Sequence, residues 1–268
     1  MADAGKQKKV RSWLWLLAIV FWLAAWQIAY WLIGHDLLLA SPAQVAVRLA
    51  ELALQGKFWL TALMSLLRIL AGYALGLAAG TALAIITTRS RLLQAIFRPA
   101  IGAIRATPVA SFIILALIWM SSSRVVVFIV FLMVMPVIWA NVSEGIRKTD
   151  PQLLEMAQVF ALPKNQVIRL IYIPSISPFF VAAATTAMGL GWKAGIAAEV
   201  LSTPKLSLGS ELFNAKIYLE TPDLLAFTIV VIILSLVLEK LVVRLLRWTE
   251  GYFRRHGRQN LQKGGGET

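Results

Sequence analysis

From Val125 to Val142 the chain carries no charged residue, and apolar runs of this kind recur along its length. A helix crossing a hydrocarbon core of about 30 Å needs about 20 such residues. Inside a bilayer only helices and closed barrels satisfy their own backbone hydrogen bonds, and barrel strands would alternate apolar and polar with period two. These runs do not alternate. Charged residues make up 15% of the 268 and hydrophobic ones 59%, against about 25% charged in a soluble domain. The sequence therefore predicts an all-α membrane protein with about six transmembrane helices, at roughly 13–33, 60–86, 106–120, 125–142, 177–200 and 223–246. One transmembrane domain covers 13–250, between a short basic segment 1–12 and a polar, glycine-rich tail 251–268 expected to lack fixed structure. The first run is too long for a signal peptide and ends in bulky Trp26, Tyr30 and Trp31, so it reads as a retained span.

Charge sets the expected orientation. With the N-terminus inside, the inner segments hold eighteen Lys and Arg and the outer segments five. That asymmetry places both termini, and the long segment between the fourth and fifth spans, on the cytoplasmic side of a bacterial inner membrane. The net charge of +13 is thus a feature of membrane topology. The chain has no cysteine, which excludes disulfides and thiolate chemistry. His35 and His256 lack acidic neighbours at ligand spacing, so neither a metal site nor a catalytic cluster is expected.

Two polar segments carry local signals. Ser41-Pro42 is a cap followed by a first-turn proline, and Val45, Leu49, Leu52 and Ala53 then recur at helical spacing. That helix lies along the membrane surface or packs on the bundle. In the cytoplasmic segment 143–176, Asp150-Pro151 starts a helix, Leu162-Pro163 breaks it, and Lys164-Asn165 starts another that continues to Pro174. Leu153, Leu154, Ala157, Val159 and Phe160 give the first helix an apolar stripe, which on such a helix-turn-helix reads as a docking site for a partner protein. Lys164 and Arg169 alone are too few for phosphate contacts, so nucleic acid is not the partner.

Glu155-Met156-Ala157, with Ala161, Leu162-Pro163 and Ile173-Pro174, resembles the coupling loop of binding-protein-dependent ABC importer permeases, whose pattern is Glu-x-Ala and a Gly six residues after the Glu. Ala161 stands where that family usually has the Gly. An alanine at positive φ would cost about 1 kcal/mol unless Leu162-Pro163 takes over the turn. Three further stretches agree. Ser65-Leu-Leu-Arg68 with Gly72-Tyr73, and Arg98-Pro99 with Arg105 and Pro108, are similar to signatures of the permease family, and Trp192 through Ala198-Glu199 to Ser207-Leu208-Gly209 resembles the end of its nitrate, sulfonate, taurine and bicarbonate branch.

The resemblance implies a type I importer permease fold and a transport subunit that is not itself an enzyme. It implies partners: ABC ATPase subunits that bind ATP and magnesium, a second permease (a homodimer), and an extracytoplasmic solute-binding protein. No cofactor is expected in this chain, which has no phosphate-cradling Gly-rich loop followed by Lys and Ser or Thr. Leu154, Glu155, Ala157, Phe160, Ala161 and Pro163 are the implied ATPase-coupling residues. The solute implied is a small oxyanion such as nitrate, a sulfonate, taurine or bicarbonate.

Within the spans, Thr185, Thr186, Gly189, Gly191, Lys193 and Glu199 are candidates to line a pathway. Snorkelling of Lys193 and helix packing of the small residues stand as equal alternatives. Arg68 either snorkels to the interface or pairs within the bundle. An ion-gradient-driven secondary transporter is the alternative function. It would call for intramembrane acids, and only Glu199 is placed to be one.

Overall fold

The computed structural model describes residues 2–264 and is helical almost throughout. In order, the helices are α1 (Ala2–Ile33), α2 (Pro42–Ala53), α3 (Gly56–Arg89), α4 (Arg91–Ala106), α5 (Val109–Trp119) and α6 (Ser122–Arg147), followed by α7 (Pro151–Val159), α8 (Lys164–Val167), α9 (Ile173–Ser202), α10 (Leu208–Ile217) and α11 (Thr221–Gly264). Five helical segments are long and apolar enough to cross a membrane, and the pair α4–α5, bent by 104°, makes a sixth if counted as one span.

The boundaries differ from the sequence reading where polar residues continue a helix. Helix α1 already begins at Ala2, inside the basic segment 1–12. Helix α11 runs on to Gly264, so the tail expected to lack structure is helical over most of its length. Its Arg, Gln, Leu and Lys residues are good helix formers. The third span shrinks to the 11 residues of α5. Before it lies a helix that the apolar-run criterion passed over, α4, capped by Ser90, whose hydroxyl accepts from Leu93 N–H at 3.4 Å. The fourth span extends to Arg147 and so takes the first residues of the expected loop 143–176.

Pro174 does not end the second helix of the 143–176 segment as expected. Helix α8 passes through a π-helical turn, Ile168–Tyr172, directly into α9. There Ile173 N–H bonds to Ile168 C=O, five residues back. This widened turn absorbs the proline that would otherwise clash with the preceding turn.

The chain divides into two compact units. The first comprises residues 1–61 and 211–231. Ser41 heads α2 in a full capping box with Gln44, and Val45 and Leu52 are buried as the periodicity predicts, whereas Ala53 is exposed. The helix packs within this unit: Trp26 Nε1 donates to Ala40 C=O at 3.0 Å, and Thr221 Oγ1 donates to Leu37 C=O at 2.6 Å. Arg48 grips Asp223 in a bidentate pair, with Nη2–Oδ2 at 2.8 Å, and also meets Glu51 at 2.8 Å. These carboxylates, Asp223 foremost, raise the Arg48 guanidinium above its ordinary pKa.

The second unit comprises 62–210 and 232–268. Its core is α6, half of whose 26 residues are buried, packed against α9 and the later part of α3. Glycines set the approach. A Cβ on Gly72 would lie 2.4 Å from Val127 O, one on Gly76 2.7 Å from Val134 Cβ, and one on Gly80 2.7 Å from Met135 O. The four-residue spacing puts all three on one face of α3. Small residues let membrane helices associate through backbone contact where no hydrophobic drive between them exists.

Candidate functional site

Two regions of the second unit carry the residues that the sequence singles out. They lie at opposite ends of α9, whose 30 residues span about 45 Å.

At the C-terminal end of α9, Glu199 is 0% exposed and accepts from three groups. Ser65 Oγ donates to its Oε2 at 2.8 Å, Gly209 N–H to the same oxygen at 3.2 Å, and Arg68 Nη1 to Oε1 at 3.2 Å. Arg68, 9% exposed, also donates to Leu206 C=O at 3.0 Å and Lys205 C=O at 2.7 Å. Ser65 Oγ in turn accepts from Leu208 N–H at 2.9 Å. The loop 203–207 is held in a shape that needs such a clamp, since Thr203 and Leu206 both have positive φ, 44° and 51°. Gly209 fits because it has no side chain: a Cβ there would lie 2.4 Å from Glu199 Cβ and 2.6 Å from Val200 N. A buried carboxylate and guanidinium with their bonding sites filled form a structural knot. Breaking such a pair is far costlier than its net contribution suggests.

The knot decides several expectations. Arg68 pairs within the bundle and does not snorkel. Glu199, expected among the pathway residues, is sealed inside the protein and lines nothing. Gly191 is also buried, with Val134 and Val130 side chains 3.1 and 3.2 Å from where its Cβ would lie, so it serves helix packing. Thr185 is half-buried and bonds Val181 C=O at 2.8 Å. The exposed face of α9 instead carries Thr186 and Lys193, with Gly189 between them opening onto free space. Of the six pathway candidates, the fold brings these three onto one helix face.

At the other end, α7 begins as predicted. Asp150 caps it, Oδ1 accepting from Gln152 N–H at 2.9 Å, and Pro151 fills the first turn. The helix ends in a Schellman motif: Leu162 N–H bonds to Ala157 C=O at 2.9 Å and Ala161 N–H to Gln158 C=O at 3.0 Å. Ala161 itself takes the left-handed conformation, φ 47°, where glycine would be unstrained. Leu162-Pro163 therefore does not take over the turn. Pro163 instead precedes α8, its carbonyl accepting from Gln166 and Val167 N–H.

The phase of α7 revises the expected coupling face. Ala157 is 3% exposed and Leu154 is half-buried, so Ala157 faces its own protein and Leu154 does so in part. The exposed apolar residues are Leu153, Met156, Val159 (82%) and Phe160 (71%), beside exposed Glu155. Of these, Leu153 and Val159 belong to the apolar stripe read from the sequence but not to the residues that the resemblance implies for coupling, and Met156 was missed from both. Their spacing with Phe160 was there to be read, but two apolar stripes run side by side on this helix. The sequence does not say which one faces inward.

Comparison with known proteins bears on these two regions. Residues 72–254 match the family model described as binding-protein-dependent transport system inner membrane component. The chain belongs to this family. It is a multi-pass inner-membrane permease subunit of a binding-protein-dependent ABC importer, and the ion-gradient alternative is set aside.

Among known relatives of the permease, the putative aliphatic sulfonates transport permease protein SsuC of Escherichia coli is 28% identical over 252 residues, covering 89% of this chain and 95% of that one. The bicarbonate transport system permease protein CmpB of Synechococcus elongatus is 25% identical over 195 residues, 72% of this chain and 70% of the relative. The nitrate import permease protein NrtB of the same organism is 27% identical over 208 residues, 73% and 74% respectively. A crystal structure of an amino acid ABC transporter with histidines superposes with a TM-score of 0.55 at 17% identity, covering 71% of this permease and 91% of that chain. That likeness confirms the fold.

Proposed function

We propose that this permease works as a homodimer on two ABC ATPase subunits, which bind ATP and magnesium and hydrolyse the nucleotide. In this reading both termini are cytoplasmic. The segment 151–163 seats on the ATPase, and an extracytoplasmic solute-binding protein delivers its cargo at the opposite membrane face. Closing of the ATPases on ATP would draw the two α7 helices together and bias the permease between two access states.

The observation that carries this reading is the exposed face of α7. Four large apolar side chains stand out of a nine-residue helix that its own fold anchors through Ala157. Such a patch at the tip of a polar loop is a docking surface in want of a partner. The test is reconstitution of the permease with its ATPase in proteoliposomes. Val159→Asp is expected to abolish solute uptake and the solute-stimulated ATPase rate, while the permease elutes normally on size exclusion. Unchanged stimulation in that variant would overturn the assignment.

The solute class is a small oxyanion. Lys193 on the exposed face of α9, beside Thr186 and Gly189, supplies a positive charge and hydrogen-bond donors with room around them. Relatives named for bicarbonate, nitrate and aliphatic sulfonates support the same class. Labelled bicarbonate, nitrate and ethanesulfonate uptake would identify the solute. Lys193→Gln is expected to slow uptake of that anion without unfolding the chain, and unchanged uptake would remove Lys193 from the pathway.

A further inference from the structure

A cavity of about 400 Å³ lies between α4 and the end of α6, lined by none of the residues of the two regions described above. Three arginines line it, Arg98 and Arg105 from α4 and Arg147 from α6, with Gln94 beside them and no acidic residue in the wall. Seven residues separate Arg98 from Arg105, so they stack two turns apart on one face. None of the three arginines forms an ion pair among the described residues. Of the two carboxylates nearest to Arg147 in sequence, Glu144 pairs with Lys148 at 3.2 Å and Asp150 caps α7. Three like charges around one cavity repel one another unless an anion joins them.

A second observation points the same way. Ser143 lines the same cavity, is 4% exposed, and its hydroxyl has no hydrogen-bond partner. A serine within a helix ordinarily bonds the carbonyl four residues back when nothing else is offered. The indole of that wall is spoken for, since Trp139 Nε1 donates to Thr87 Oγ1 at 2.9 Å. The cavity thus combines guanidinium donors, an unpartnered hydroxyl and no competing acid.

Helix α4 shows which anion is at hand. Leu92 and Ile96 are exposed on the side roughly opposite the Arg98–Arg105 stripe. A helix with a bare apolar side and an arginine side lies in the interface of a membrane, its charged groups at headgroup depth. We propose that this cavity binds the phosphodiester headgroup of an anionic phospholipid, held by Arg98, Arg105 and Arg147. The site is independent of the solute pathway and of ATPase docking, and it fixes the bent α4–α5 pair against α6 by recruiting a lipid as the missing counter-charge.

The test is native mass spectrometry of the full chain, released from detergent and titrated with dioleoylphosphatidylglycerol or dioleoylphosphatidylcholine. The anionic lipid is expected to bind preferentially at one saturable site. Each single Arg98→Gln, Arg105→Gln or Arg147→Gln variant should weaken it by about fivefold, and the triple variant by about a hundredfold. Arg91→Gln, outside the cavity, should leave it unchanged. All three arginines are exposed, so these variants keep the fold, and elution position checks that. Equal binding by the triple variant would overturn the site. A parallel titration with inorganic phosphate separates the sources: arginine-dependent thermal stabilisation by phosphate, with no preference between the lipids, would overturn the lipid assignment in favour of a free oxyanion.

Discussion

The knot around Glu199 and the loop around α7 are built on opposite principles. The knot holds a carboxylate and a guanidinium with almost no exposure, each with several hydrogen-bond partners. The α7 loop leaves large apolar side chains exposed, Val159 and Phe160 most of all. In a membrane protein an intramembrane charge is the first suspect for function, and here the paired charges are architecture. The surface that we propose for docking is the uncovered apolar one. What separates the two is satisfaction: a buried polar group that has its partners is finished, and an exposed apolar patch is waiting for one.

The largest effect should follow from unpairing the knot. Glu199→Ala leaves the Arg68 guanidinium buried without its counter-charge, which costs about 3–5 kcal/mol. Unfolding by sodium dodecyl sulfate in mixed micelles would measure it. The double change Arg68→Met with Glu199→Leu should restore much of the loss, because no orphan charge remains. A double variant as unstable as the single ones would mean that the pair orders its loop for something beyond stability.

Next in size is Gly209→Ala. Its methyl would collide with Glu199 Cβ and the Val200 backbone, neither of which can swing away. Overpacking of this kind costs about 1–3 kcal/mol. The same titration checks it, and a neutral result would show that the 203–209 loop yields more easily than its contacts imply.

Substitutions on α7 should behave differently, touching partnership and sparing stability. Phe160→Ala is expected to weaken association with the ATPase by about tenfold, roughly 1.4 kcal/mol. Its midpoint of unfolding should stay within about 0.5 kcal/mol of the parent. Microscale binding of the purified ATPase reads the first and detergent unfolding the second. A loss of stability with unchanged association would dissolve the contrast between the two regions.

The smallest effect is a gain. Ala161→Gly removes a side chain from a left-handed backbone and should stabilise the loop by about 1 kcal/mol. Because the loop opens locally, amide hydrogen exchange at Leu162, whose N–H closes the Schellman motif, is the sensitive probe. Faster exchange in the glycine variant would show that the alanine is not strained.

What could be read from sequence followed the reach of the rules. Caps are local, so Ser41-Pro42 and Asp150-Pro151 mark helix starts that the fold reproduces. Long apolar runs mark spans wherever they are unbroken. Helix α4 was passed over because arginines interrupt its apolar positions, although those positions keep helical spacing. The knot was visible only in pieces. Ser65, Arg68, Glu199 and Gly209 each stood out, but nothing in a sequence joins residues 131 positions apart, as Arg68 and Glu199 are. The same limit misassigned Glu199 to the pathway. Gly72, Gly76 and Gly80 offered a signal that was not used, a four-residue repeat of small residues on a span. On α7 the periodicity was plain and the phase was not, because burial of Ala157 is decided by what packs against it.

The central claim is that α7 offers Val159 to the ATPase and keeps Ala157 for its own fold. The chain has no native cysteine, so a single cysteine can be placed at either position and carry a photo-activated crosslinker. Illumination of membranes holding the permease and its ATPase should yield a permease–ATPase adduct from Val159→Cys and none from Ala157→Cys. Adducts of equal yield from both positions, or from Ala157→Cys alone, would contradict the orientation of α7 and with it the coupling surface drawn here.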